Sequence, residues 1–175
     1  MRGLVHIYTG DGKGKTTAAI GLGVRACGRG LKVLMVQFLK GAPTGEEFSL
    51  ERLGPGFTLY RGTSSVKFVP QMSEDEKNRT AEEQLDIFRY AREAAASGKY
   101  DLIILDEAFG AIASGMLDAN ALVRFVKDKP ENLELVLTGR GAPKELIDLA
   151  DYVSEIHALK HPMEKGVKGR RGIEF

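Results

Sequence analysis

The chain has 175 residues, 43% of them hydrophobic and 28% charged, with a formal net charge of +1. That length suits one domain over 1–175 whose core needs no covalent staples, and the near-neutral balance excludes a strong field for nucleic acid or a membrane surface. No apolar stretch reaches membrane-spanning length, and Cys27, the only cysteine, excludes an intramolecular disulfide and points to the cytoplasm.

The first element is an apolar strand, Leu4–Tyr8, with no signal-peptide pattern ahead of it. It runs into Thr9-Gly10-Asp11-Gly12-Lys13-Gly14-Lys15-Thr16-Thr17. A strand, a glycine-rich turn ending Gly-Lys-Thr and a helix-forming segment, in that order, build a phosphate cradle. Glycines let successive backbone N–H groups converge on phosphate oxygens, and the helix start adds partial positive charge. Lys15 reaches the phosphates, and the Thr16 hydroxyl is placed to ligate a magnesium ion bound to them. In the pattern G-x-x-x-x-G-K-[ST] the first glycine falls on Thr9, with Gly10 and Gly12 left to supply the turn. A triphosphate is the ligand this loop implies.

Thr16–Cys27 reads as a helix rich in small residues, with Cys27 as packing and Arg25 either bracing the phosphate region or making a surface ion pair. Val33–Phe38 and Phe57–Arg61 are the next strands. Between and after them, Gly41–Gln71 reads as loop-rich, and a loop of that length inside a compact domain is often functional. Ser73 with Glu76 forms a capping-box pattern that opens a helix to about Ala96, with Leu85, Phe88 and Ala91/Ala95 as its apolar stripe. Leu102–Leu105 is a continuous apolar run that ends in Asp106-Glu107. Successive strand residues point to opposite faces, so the two acids serve different roles: one in the metal shell, the other ordering water, ribose or a loop. Asp118 caps Ala119–Lys127, and Leu133–Thr138 is followed by a turn bearing Arg140. That arginine either pairs with phosphate or is solvated beside a helix cap. Pro143 falls in the first turn of a helix to Leu149, and Tyr152–Ile156 is the last strand. Strand–helix alternation with runs apolar on both faces predicts an α/β fold with a mostly parallel sheet. His6 reads as packed, and His157 and His161 lack the setting of a zinc site. The basic run 165–171 reads as a solvated end, a phosphate contact or a nucleic-acid patch, and its shortness and lack of interleaved aromatics favour the first two.

These motifs together resemble the P-loop type of ATP:corrinoid adenosyltransferase. The resemblance runs through Tyr8–Ala19, Arg25–Gly30, Val36-Gln37-Phe38-Leu39-Lys40-Gly41, Asp106-Glu107, Leu137–Ile147, Lys160-His161-Pro162 and Gly172-Ile173-Glu174-Phe175. It therefore spans essentially the whole chain, and Thr9 in the first loop position is itself like the family. It implies a three-layer P-loop NTPase-like (RecA-like) fold and a reaction in which Co(I) of a reduced corrinoid attacks the 5′ carbon of ATP and expels triphosphate. Thr9, Gly10, Asp11, Gly12, Lys13, Gly14, Lys15, Thr16, Thr17, Arg25 and Arg140 are then the expected nucleotide-binding residues. Thr16, Asp106 and Glu107 are the expected Mg2+ ligands, and Lys15 and Phe57 the catalytic pair. Phe57 is expected against the corrin, in a segment where Leu59 stands in place of a tryptophan that many relatives carry; the residues alone read equally as the core of a short strand.

Two further departures are Ala42-Pro43, where relatives often have another tryptophan, and Arg170, where a glutamine is more usual. Some relatives cover the site with an N-terminal extension; here the sequence begins close to its first strand, so a more open site or a cover from a partner chain is expected. The resemblance further implies a homodimer and a flavin-type electron-donor protein. The alternatives are a P-loop ATPase or kinase and a nucleotide-dependent regulatory binding module.

Overall fold

The structure is a computed structural model and describes residues 2–174. Six strands form one sheet: β1 (Val5–Thr9), β2 (Val33–Gln37), β3 (Phe57–Arg61), β4 (Leu102–Asp106), β5 (Glu134–Thr138) and β6 (Tyr152–Glu155). Their order is β3-β2-β4-β5-β1-β6, and every pairing is parallel. All residues of β2 and β4 are buried, as expected of central strands covered on both faces. At the edge β6 is exposed throughout.

The helices are α1 (Lys15–Cys27), α2 (Gly45–Arg52), α3 (Glu74–Ala96), α4 (Ala108–Ala113), α5 (Ala119–Asp128) and α6 (Lys144–Leu149). They divide the apolar residues of the strands into two cores. Ile7, Leu34, Val36, Ile103, Leu105, Leu135 and Leu137 pack with α3, α4, α5 and α6. Val33, Met35, Leu102, Ile104 and Val136 pack with α1 and α2, through Ala19 and Leu50. The result is a three-layer α/β sandwich.

All six expected strands form, within a residue or two at their ends. The Ser73 capping box forms in full, with Glu76 N–H donating to the Ser73 hydroxyl and Ser73 N–H to the Glu76 carboxylate. Asp118 caps α5 through Asn120 and Ala121. Three local readings are corrected. Leu85 is exposed at 51%, and the buried stripe of α3 runs instead through Gln84, Ile87, Phe88, Ala91 and Ala95. Gln84 earns its place by bonding: its amide oxygen accepts from Leu39 N–H at 2.9 Å and its amide nitrogen donates to Thr63 at 3.0 Å. Pro143 sits one residue before α6, as its cap. The segment read as loop-rich contains α2 and two short 3-10 turns, at Gly54–Gly56 and Val69–Gln71, besides β3.

Candidate active site

The phosphate loop is held from beneath by the far end of the chain. Gly10 has φ 100°, and a Cβ there would lie 2.3 Å from the Ile156 carbonyl oxygen, so only glycine fits. Gly12 N–H donates to that carbonyl at 2.8 Å. Gly14, at φ 124°, turns the chain into α1. Thr9, in the first position of the motif, is buried, and its hydroxyl accepts from Ala142 N–H at 3.3 Å. It thereby ties β1 to the turn after β5, a bond glycine could not make. No side chain caps α1, so its first N–H groups are left to an anion.

Lys15 is buried and folds back to donate to the Gly12 carbonyl at 2.8 Å. Burial, and then the charge of Arg140, push its pKa below the ordinary lysine value. Asp11 is held below the usual carboxylate range by the Ala158 and Asp11 backbone N–H groups and by the charges of His157 and Arg140. Lys13 is an exposed cation that pairs with Glu174 at 3.0 Å. Lys13, Thr16, Thr17, Arg140 and Glu107 all line one cleft of about 750 Å³ over the loop.

The floor of that cleft is organised by Asp106, which is fully buried at the end of β4. Leu102, Ile104 and Asp106 alternate onto the α1 face. There Asp106 Oδ1 accepts from the Thr16 hydroxyl at 2.8 Å and the Thr138 hydroxyl at 2.7 Å. Its Oδ2 accepts from Gln37 Nε2 at 3.0 Å and Lys40 Nζ at 3.2 Å. Glu107 departs from the strand at φ 60°, a left-handed conformation uncommon outside glycine and found at functional sites. Thr138 supports this turn by accepting from Glu107 N–H at 3.0 Å. Burial, then the charge of Asp106, raise the Glu107 pKa. The two acids do differ in surroundings: Asp106 is bonded all round and Glu107 faces the cleft.

Two expected residues lie elsewhere. Arg25 is in the last turn of α1, ten residues beyond Lys15 and so about 15 Å along the axis; it is exposed and does not reach the loop. Phe57 is a core residue, which corrects its reading as a corrin contact. It is 2% exposed and starts β3 in register with Val33, which is in turn in register with Leu102. The cleft lies at the opposite strand ends, four residues or about 13 Å further on. The Phe57 ring packs over Gly23 of α1, where a Cβ would lie 2.6 Å from Cε1. Leu59 packs against the same core.

Sequence reasoning also missed polar residues that shape the cleft wall. Lys40 bridges Asp106 and Glu46, at 3.2 and 3.3 Å, and Arg61 reaches Glu46 at 3.6 Å and Glu47 at 3.0 Å. Burial opposes ionisation of Glu46. Hydrogen bonds from its own N–H and from Thr44, with the charge of Lys40 and the Gln37 amide, overcome that and hold its pKa at about 2. The signal for Lys40 was its place just after a central strand, at the ligand edge of a parallel sheet.

The model of the ATP:corrinoid adenosyltransferase BtuR/CobO/CobP family matches residues 1–175. The chain belongs to this family. The corrinoid adenosyltransferase of Escherichia coli (strain K12) is 34% identical over 177 residues, covering 99% of this chain and 86% of that protein. The corrinoid adenosyltransferase CobA of Salmonella typhimurium is 33% identical over 99% of this chain and 86% of its own length. That of Pseudomonas aeruginosa is 32% identical over 99% and 84%. Among solved structures, the RadB recombinase superposes with a TM-score of 0.50 at 17% identity, covering 92% of this chain and 77% of that one. That likeness shows the P-loop NTPase fold of the adenosyltransferase, and the fold alone.

Proposed function

We propose that this single-domain protein transfers the 5′-deoxyadenosyl group of ATP to the Co(I) centre of a reduced corrinoid and releases triphosphate. The cobalt electron pair forms the Co–C bond, and the C5′–O bond breaks with its pair leaving on triphosphate. The nucleophile belongs to the substrate, so the protein's task is to hold the 5′ carbon in line and to stabilise charge on the leaving group. The observation that carries this reading is the cleft over the Gly10–Gly14 loop in a chain whose family match is full-length.

In this reading the loop amides, Lys15 and Arg140 take the triphosphate. Magnesium fits the residues present. Among the described residues no group of three His, Cys, Asp or Glu could hold a metal, and Mg2+ characteristically takes only one or two carboxylates and completes its shell with phosphate and water. Thr16 and Glu107 would hold it; Asp106 would act through Thr16. When bound, the ion supplies positive charge for the triphosphate.

With Phe57 in the core, we assign the corrin-facing role to the segment that follows β3. Val66 and Phe68 are exposed there at 70% and 77%. The segment packs on the Lys40 turn, where a Cβ on Gly41 would lie 2.0 Å from the Ser65 carbonyl oxygen. We further infer cytoplasmic action, as a homodimer, with a separate flavin-type protein supplying the electron for Co(I); a lone cysteine cannot cycle as an intramolecular dithiol.

Incubation with ATP, Mg2+ and chemically reduced cobalamin, followed by absorption spectra and product chromatography, tests the activity. Adenosylcobalamin with triphosphate supports it. ADP or inorganic phosphate would indicate an ATPase or kinase, and nucleotide binding with no product a regulatory module.

A further inference from the structure

Asp106 raises a problem of charge rather than of hydrogen bonding. A carboxylate offers about four lone-pair sites, and here all four are taken, by Thr16, Thr138, Gln37 and Lys40. Three of those donors are neutral. They satisfy the lone pairs but leave a full negative charge in a place with 0% exposure, which costs heavily unless a cation compensates it. Among the described residues Lys40 is the one cation within ion-pair distance of Asp106. Its other partner, Glu46, at 3.3 Å, also has Arg61 at 3.6 Å, which itself pairs with Glu47 at 3.0 Å, so Lys40 is shared with Glu46 but stands slightly nearer Asp106, at 3.2 Å. The Lys40 ammonium comes from the turn after β2, and its side chain is only 25% exposed. It thus stands on the wall of the cleft.

We propose that Lys40 is a positioning residue. Its ammonium is the resident counter-cation of Asp106; by holding that carboxylate it commits Asp106 to the Thr16 hydroxyl and leaves divalent-ion ligation to Glu107. The proposal rests on the reading of the cleft as a metal–triphosphate site. Its consequence is specific: without the Lys40 charge, the buried carboxylate recruits a metal ion of its own.

The test is Mn2+ binding, read from the six-line electron paramagnetic resonance signal of the free ion, with adenosyl transfer scored separately. Without nucleotide, Lys40→Met binds Mn2+ at least about tenfold more tightly than wild type. Lys40→Arg behaves as wild type, and adding Asp106→Asn to Lys40→Met cancels the gain. A Lys40→Met protein with unchanged or weaker Mn2+ affinity, or a gain that survives Asp106→Asn, overturns the proposal. Should Lys40→Met not fold, the isosteric variants decide it. With ATP present, Glu107→Gln weakens Mn2+ binding at least about fivefold and Asp106→Asn less than about twofold; equal losses or the reverse order overturn it. Failure of wild type to form adenosylcobalamin removes the proposed function but leaves these titrations readable.

Discussion

Phe57→Ala separates a core role from a site role most sharply. The ring is 2% exposed and fills the space that a Cβ on Gly23 would take. Truncating a buried phenylalanine to alanine costs about 3–5 kcal/mol, because the transfer energy is lost and a cavity remains. Gly23 contributes no side chain to refill that cavity, so we expect the upper half of the range. At a urea slope of about 2 kcal/mol per M, the unfolding midpoint falls by about 2 M. Because the ring lies about 13 Å below the strand ends that carry the cleft, adenosyl transfer per folded molecule at low temperature changes by less than about twofold. The measurement pairs urea unfolding, followed by circular dichroism, with initial rates at saturating ATP and reduced cobalamin. A stability loss below about 1 kcal/mol with a rate loss above about tenfold would place the ring at the reacting centre and refute the reasoning.

Lys15→Ala should lower kcat by about a hundredfold or more, the scale for removing one preorganised charge from a developing anion; rates at saturating ATP check it. Thr138→Val should cost about 2–4 kcal/mol, since it removes a donor to buried Asp106 and orphans Glu107 N–H, whereas Thr138→Ser should restore the denaturant midpoint. Phe68→Ala should raise KM for the corrinoid and leave KM for ATP unchanged. Glu46 predicts an acid limit. Its folded pKa of about 2 lies below the ordinary 4.5, so it binds fewer protons folded than unfolded, and its stabilisation is fully present above 4.5. That stabilisation is lost as pH falls from 4.5 towards 2, and Glu46→Gln should flatten the Tm-against-pH curve in that window.

The strands were legible because central parallel strands leave continuous apolar runs, and the loop because a phosphate cradle needs glycine and lysine at fixed places. Helix α2 was not, since only Leu50 of its residues is buried and one apolar contact makes no period. Six-residue α4 follows a left-handed Glu107, too short to show a stripe. Gln84 took the stripe position assigned to Leu85 because a buried amide with two partners is as well satisfied as a leucine. Phe57 was misplaced for a different reason: its corrin role came from the family resemblance, whereas it starts β3, away from the C-terminal edge at which a parallel sheet meets its ligand. Gln37 ends β2 and Lys40 lies in the turn after it, and only the register of β2 against β4 brings them to Asp106, while its register against β3 sets Arg61 beside Gln37.

Strand β1 is the first made and among the last secured. Val5 is in register with Leu135 and His6 with Tyr152, and the glycine turn rests on the Ile156 carbonyl. At ribosomal speeds of about 5–20 residues per second, the nascent amino end waits about 7–30 s for these neighbours. The anion grip is thus among the final features to set, and a nascent chain stalled short of Glu134 exposes β1 unpaired, an apolar ribbon for chaperones to shelter.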